Sequence, residues 1–136
     1  MRWIVPMMRL TQMFLLLSGI GFMLIGINTF RDPIAAMVGV ELGVQSINAL
    51  NEVRANYGGM QIGIGILLFS AALLQWLSRS ALLALSLITG GLVVGRLVSI
   101  MLDGMPNTTV QALLILEFVT TVAAIFLFFQ HTKNAE

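Results

Sequence analysis

Apolar residues in this chain gather into four long runs separated by short polar breaks. The runs cover about residues 10–29, 56–77, 81–102 and 110–129, each near the ~20 residues that a helix needs to cross a hydrocarbon core. The pattern predicts four membrane-spanning helices. The first run follows Arg2, Trp3 and Arg9. It is longer than the apolar region of a cleaved leader and is not followed by a small-residue cleavage site, so it is expected to remain in the mature protein.

The segment between the first two runs has a different periodicity. Glu41, Gln45, Asn48 and Glu52 recur at intervals of four, three and four, the stripe of an amphipathic helix over about 34–51. Asp32-Pro33 gives it a start, with an aspartate to cap free amides and a proline that the first turn tolerates. Two carboxylates and no basic residue make it a poor span, so it is expected to be interfacial or re-entrant. Further on, Ser78-Arg79-Ser80 reads as a tight turn between the second and third spans. Asp103-Gly104-Met105-Pro106-Asn107 reads as a turn between the third and fourth.

Composition confirms the class: 58% of residues are hydrophobic and 10% charged, against about 25% charged in soluble domains. The fold expected is therefore an all-α integral membrane domain, residues 1–136, with four transmembrane helices and a short outer amphipathic helix between spans one and two. With no cysteine, disulfides, thiol catalysis and cysteine metal sites are excluded. A net charge of +1 without a polybasic run argues against nucleic acid as a partner and against strong recruitment by anionic lipid. No metal or cofactor motif is present, and the one histidine, His131, lies in the tail. The basic residues set the orientation: Arg2, Arg9, Arg79 and Lys133 fall on one side of four spans, Arg31 and Arg54 on the other, which places both termini in the cytoplasm.

Polar residues inside the spans are the candidate chemistry, because an unpaired charge at mid-bilayer costs about 2.5–3.5 kcal/mol on insertion scales. Arg96 and Glu117 come to matching depth, roughly 9–10 Å from the outer ends of their spans at ~1.5 Å per residue. Arg54 lies at the outer mouth of span two with Gln61 about two turns deeper; Ser99 and Asp103 share the Arg96 face. These six residues, Arg54, Gln61, Arg96, Ser99, Asp103 and Glu117, outline an outward-facing polar cup, because the inner halves of the spans carry no ionisable group. Whether Arg96 and Glu117 pair with each other or contact a ligand stays open. Gly59 and Gly63, and Gly91 and Gly95, form small-residue pairs of the kind that lets helices approach in lipid, and predict self-association.

The stretches Arg54-Ala55-x-Tyr57-Gly58-Gly59-Met60-Gln61, Gly95-Arg96-Leu97-x-Ser99 and Asp103-Gly104-x-Pro106 together resemble the bacterial membrane family catalogued as domain of unknown function 4345. The resemblance implies a small four-span protein of the bacterial inner membrane and no settled activity. Its recurrent polar positions carry over as Arg54, Gln61, Arg96 and Asp103.

Three functions fit these residues. One is a binding or transport-related protein whose cup orients a small anionic or amphipathic ligand such as a lipid headgroup. The second is a structural or accessory subunit, among membrane lipids, whose buried charges only fix helix packing. The third, an intramembrane enzyme using Asp103 or Glu117 as acid or base, is the weakest, since no nucleophile and base are paired.

Overall fold

A computed structural model describes residues 4–133 of the chain, and side chains over residues 8–130. Arg2 and Trp3 lie outside the described residues, as do the side chains of His131 and Lys133. The described residues are mostly helical and include no strand, in the order α1 (Ile4–Arg31), α2 (Pro33–Val38), α3 (Ile47–Val53), a π-helical turn (Arg54–Gly59), α4 (Met60–Leu73), α5 (Gln75–Asp103) and α6 (Thr108–Lys133). Four helical stretches are long and apolar enough to cross a membrane: Met8–Arg31, Ile47–Leu73, Gln75–Asp103 and Thr108–Gln130. The chain forms two compact units, Met1–Ser78 and Arg79–Glu136.

In the first unit α1 packs antiparallel against α4, and glycine makes the contact. Gly19 and Gly26 lie seven residues apart on α1; Gly58 and Gly65 lie seven apart on the facing helix. A Cβ on Gly26 would come within 2.8 Å of the Gly58 carbonyl oxygen and the Ile62 amide nitrogen. One on Gly65 would come within 2.8 Å of the Gly19 carbonyl oxygen and the Met23 nitrogen. The two backbones therefore touch at two levels, two helical turns apart, where no side chain fits. Leu15 and Leu68 are buried on the same faces.

The segment between α1 and α4 is not one helix over 34–51. Asp32 caps α2 as expected, its Oδ1 accepting from the Ala35 amide at 3.0 Å, with Pro33 in the first turn. The helix then stops at Val38. Glu41 adopts a left-handed φ of 57°, and the Leu42 amide donates back to the Met37 carbonyl at 3.2 Å, a closure that ends helices. A new helix begins only at Ile47, where the Ser46 hydroxyl accepts from the Ala49 amide at 3.1 Å. Glu41 and Gln45 thus sit in a loop, while Asn48 and Glu52 alone remain one helical turn apart on α3. The four residues form no continuous stripe.

The break between the second and third spans also lies elsewhere than the sequence suggests. Leu74 leaves the helical region at φ −107°, ψ 92°, and Ser78-Arg79-Ser80 is already inside α5. No glycine or proline marks the bend. Its polar account is settled by Ser78, whose buried hydroxyl donates to the Ala71 carbonyl at 3.0 Å, one of the acceptors left free at the end of α4.

In the second unit the Asp103–Asn107 turn forms as expected. Gly104 takes φ 96°, where its amide donates to the Ile100 carbonyl at 3.2 Å. Asn107 opens α6 by accepting from the Val110 amide at 3.0 Å, and the Gln111 side chain donates to the Pro106 carbonyl at 2.8 Å.

Gly65→Ala is expected to lower the midpoint of thermal unfolding in mild detergent, because its Cβ meets backbone. Gly63→Ala, whose Cβ meets no atom within 4 Å among the described residues, should leave the midpoint unchanged or raise it, with a stability gain of up to about 1 kcal/mol from the lower helix cost of alanine. Equal behaviour of the two variants would refute the glycine seam.

Candidate functional site

The longest polar assembly lies along the facing sides of α5 and α6. Starting from the open end of this pair, the Arg79 guanidinium stands over the Phe128 ring, 5.3 Å from its centroid. Further along, the Thr121 hydroxyl and the Thr89 hydroxyl are hydrogen-bonded at 2.7 Å. Each is also anchored to its own helix, Thr89 donating to the Leu85 carbonyl and Thr121 approaching that of Glu117. Arg96 and Glu117 come next. The Arg96 Nε donates to Oε2 at 2.6 Å and Nη2 to Oε1 at 2.8 Å, so both carboxylate oxygens are held by one planar fork. The side chains are 25% and 12% exposed, partly buried within the helices that carry them. Toward the turn, Ser99 donates to the Asp103 carboxylate at 2.9 Å on the exposed face of α5.

The spacing of the sequence explains this ladder. Thr89 and Arg96 are seven residues apart on α5, and Glu117 and Thr121 four apart on α6, so each pair projects from one side of its helix. The pair Arg96–Glu117 lies about 10 Å inside the Asp103 end of α5 at ~1.5 Å per residue. At that depth a lone charge is costly, and two-point pairing is the arrangement that removes most of the cost.

The remaining predicted residues belong to the first unit. Arg54 is the first residue of the π-helical turn, and its Nε donates to the Phe30 carbonyl at 3.3 Å, covering an acceptor at the end of α1. Gln61 lies between Gly58 and Gly65 on the face that meets α1. Its Oε1 is buried and accepts no hydrogen bond. Glu52 accepts from the Asn56 side chain at 2.9 Å. The structure therefore places Arg54 and Gln61 on the seam of one helix pair, Arg96 and Glu117 on the seam of another, and Ser99 and Asp103 on the exposed face of α5.

Among the proposed packing glycines, Gly63, Gly91 and Gly95 have no atom within 4 Å of a built Cβ among the described residues, and Gly59 meets only the Arg54 carbonyl oxygen at 3.7 Å. The close approaches belong instead to Gly19, Gly26, Gly58 and Gly65. The heptad spacing shared by the two pairs was the signal that could have found them. Among the described residues no three histidine, aspartate or glutamate side chains converge as metal ligands. A groove of about 480 Å³ on α6, lined by Val122, Ile125, Phe126, Phe129 and Gln130, holds none of the predicted site residues.

Four apolar helices whose intramembrane charges are satisfied by neighbouring helices define a small multi-pass membrane protein. The chain belongs to the family described as domain of unknown function DUF4345, whose model matches residues 10–128. No curated protein and no solved structure matches it.

Gln61→Met is expected to raise thermal stability in detergent by about 1 kcal/mol, since it removes a buried acceptor with no partner and keeps the volume. A clear loss of stability would show that Gln61 is held by something outside the chain.

Proposed function

We propose that this protein is a structural or accessory membrane subunit, in which Arg96 and Glu117 fix the register of α5 against α6. The observation that carries this reading is the two-point ion pair itself. Both carboxylate oxygens of Glu117 are taken by Arg96, so the acid is neutralised within the hairpin. The neighbouring Thr89–Thr121 bond and the Arg79–Phe128 contact support the same role, because they join the same two helices at other levels. A ligand-orienting cup would need these groups to face an open space. The groove on α6 is instead lined by apolar side chains and one glutamine.

The same reading puts the chain in a bacterial inner membrane with both termini cytoplasmic. The four apolar helices support a membrane location, and the basic residues at the ends of the spans support the orientation. A reporter fused after Lys133 should be active only in the cytoplasm; activity on the outer face would reverse the topology.

Breaking the pair from one side is expected to be worse than removing it. Arg96→Met or Glu117→Gln alone should each cost on the order of 3 kcal/mol of stability, because the remaining partner stays partly buried without its fork. The double variant Arg96→Met with Glu117→Gln should recover most of that loss, with unchanged lipid retention. Single variants that unfold like the native protein but lose a co-purifying molecule would favour the ligand-binding reading instead.

A further inference from the structure

The groove on α6 ends beside a cation. Val122, Ile125, Phe126 and Phe129 follow one another at intervals of three, one and three, so they share one face of the helix, and each is exposed. Phe128 stands edge to face with Phe129, ring centroids 5.6 Å apart, and carries the Arg79 guanidinium 5.3 Å from its own centroid. Two rings in contact thus join the cation to the groove. Gln130, two residues beyond Phe128, lines the groove at this end with an amide able to donate.

This end of the hairpin carries no opposing charge among the described residues. Arg79 is exposed and takes part in no ion pair there, and a ring attracts a cation without cancelling its charge. The unit's two described carboxylates are remote: Glu117 is held by Arg96 roughly 16 Å along α6 from Phe128, and Asp103 lies at the far end of α5. In the tail, Lys133 and Glu136 cancel in formal charge. The level is that of a headgroup layer, since Trp76, one turn before Arg79 in α5, is 77% exposed. From Val122 to Gln130 the helix rises about 12 Å, most of the ~15 Å depth of one hydrocarbon leaflet. A single cation does not draw a protein to a surface, but in a chain that already spans the bilayer it selects among the lipids beside it.

We propose that the α6 groove holds an acyl chain of an anionic phospholipid whose headgroup phosphate is bound by Arg79 and Gln130. Charge complementarity selects this occupant: a trough nearly as deep as a leaflet, with an uncancelled cation at its mouth, matches a molecule that is apolar below and anionic above. A symmetric second copy on the same face would instead bring another Arg79 to the same end, like charge against like. The site does not involve the Arg96–Glu117 pair, so its failure would leave the packing role of that pair untouched.

Native mass spectrometry of the full chain, in detergent with equal amounts of dioleoyl phosphatidylglycerol and dioleoyl phosphatidylcholine, reads the preference directly. Phosphatidylglycerol adducts should dominate. Arg79→Gln should lower the ratio of the two adducts about fivefold, the contribution expected of one basic residue at a membrane surface. Arg79→Lys, which keeps the charge, should hold the ratio within about twofold. Arg31→Gln, at the exposed end of α1 beside Asp32, should do the same. Phosphatidylglycerol with a photoactivatable group midway along one acyl chain should label residues 122–130 most heavily, and Arg79→Gln should reduce that labelling. Equal adducts of both lipids, equal effects of the Arg79→Gln and Arg31→Gln variants, or label spread evenly over the four spans would overturn the site. A loss with Arg79→Lys as large as with Arg79→Gln would also overturn it, because the ratio would then follow the packing of Arg79 and not its charge. A dimer that forms without lipid and blocks labelling of 122–130 would overturn it in favour of a second copy of the chain.

Discussion

Lipid removes the usual reason for helices to associate, because an apolar side chain gains little by leaving hydrocarbon for protein. What remains is close packing and the satisfaction of polar groups. In the first unit close packing is the governing term: Gly19 and Gly26 lie directly against Gly65 and Gly58, and a methyl group at any of these positions would meet backbone atoms. Two other features of that unit follow from the resulting geometry. With the backbones touching, the Gln61 side-chain oxygen is buried between the two glycine levels and Arg54 is brought within reach of the Phe30 carbonyl.

The second unit solves the same problem by the other route. Gly91 and Gly95 meet no neighbour among the described residues, and α5 and α6 are joined through side chains: a cation over a ring, two hydroxyls, and a forked ion pair. Such bonds are directional, so they define register more sharply than apolar contact does. They also carry a liability that glycine packing lacks, since losing one member strands the other where water is scarce.

The number of spans was legible in the sequence because run length is a direct consequence of bilayer thickness, although the second span runs over Ile47–Leu73 and not over 56–77; the Asp32 cap and the Gly104 turn were legible because each depends on one residue's local chemistry. The Arg96–Glu117 partnership was legible as one of two options, since matching depth brings the groups together but does not say what else might stand between them. The bend at Leu74 was not readable, because its hydrogen bonding is supplied by Ser78 from inside the next helix and no glycine or proline announces it. The helix over 34–51 was misread for a related reason: Glu41 takes the left-handed position although Gly39 and Gly43 lie on either side, so composition pointed away from the residue that stops the helix. The glycine seam was missed because attention to spacing by four favoured Gly59 and Gly63, whereas antiparallel helices that stay in contact over a long distance repeat every seven residues.

The π-helical turn at Arg54–Gly59 links these two scales of order. Five residues in an α-helix turn through about 500°, which puts positions i and i+5 some 140° apart around the axis. In a π-helical turn the hydrogen bond itself joins i to i+5, as Met60 does in donating to the Ala55 carbonyl, so such residues lie nearly above one another. Val53 and Gly58 are five apart and both buried. The turn therefore lets the end of α3 present Val53 on the side where the seam begins, without rotating Gly58, Gln61 and Gly65 away from α1. A regular helix through the same residues would send one of the two sets to the outside. The single irregular turn in the second span is thus the device that keeps a polar, capped entry segment and a glycine-packed span on a common face, and it sets Arg54 at the junction between them.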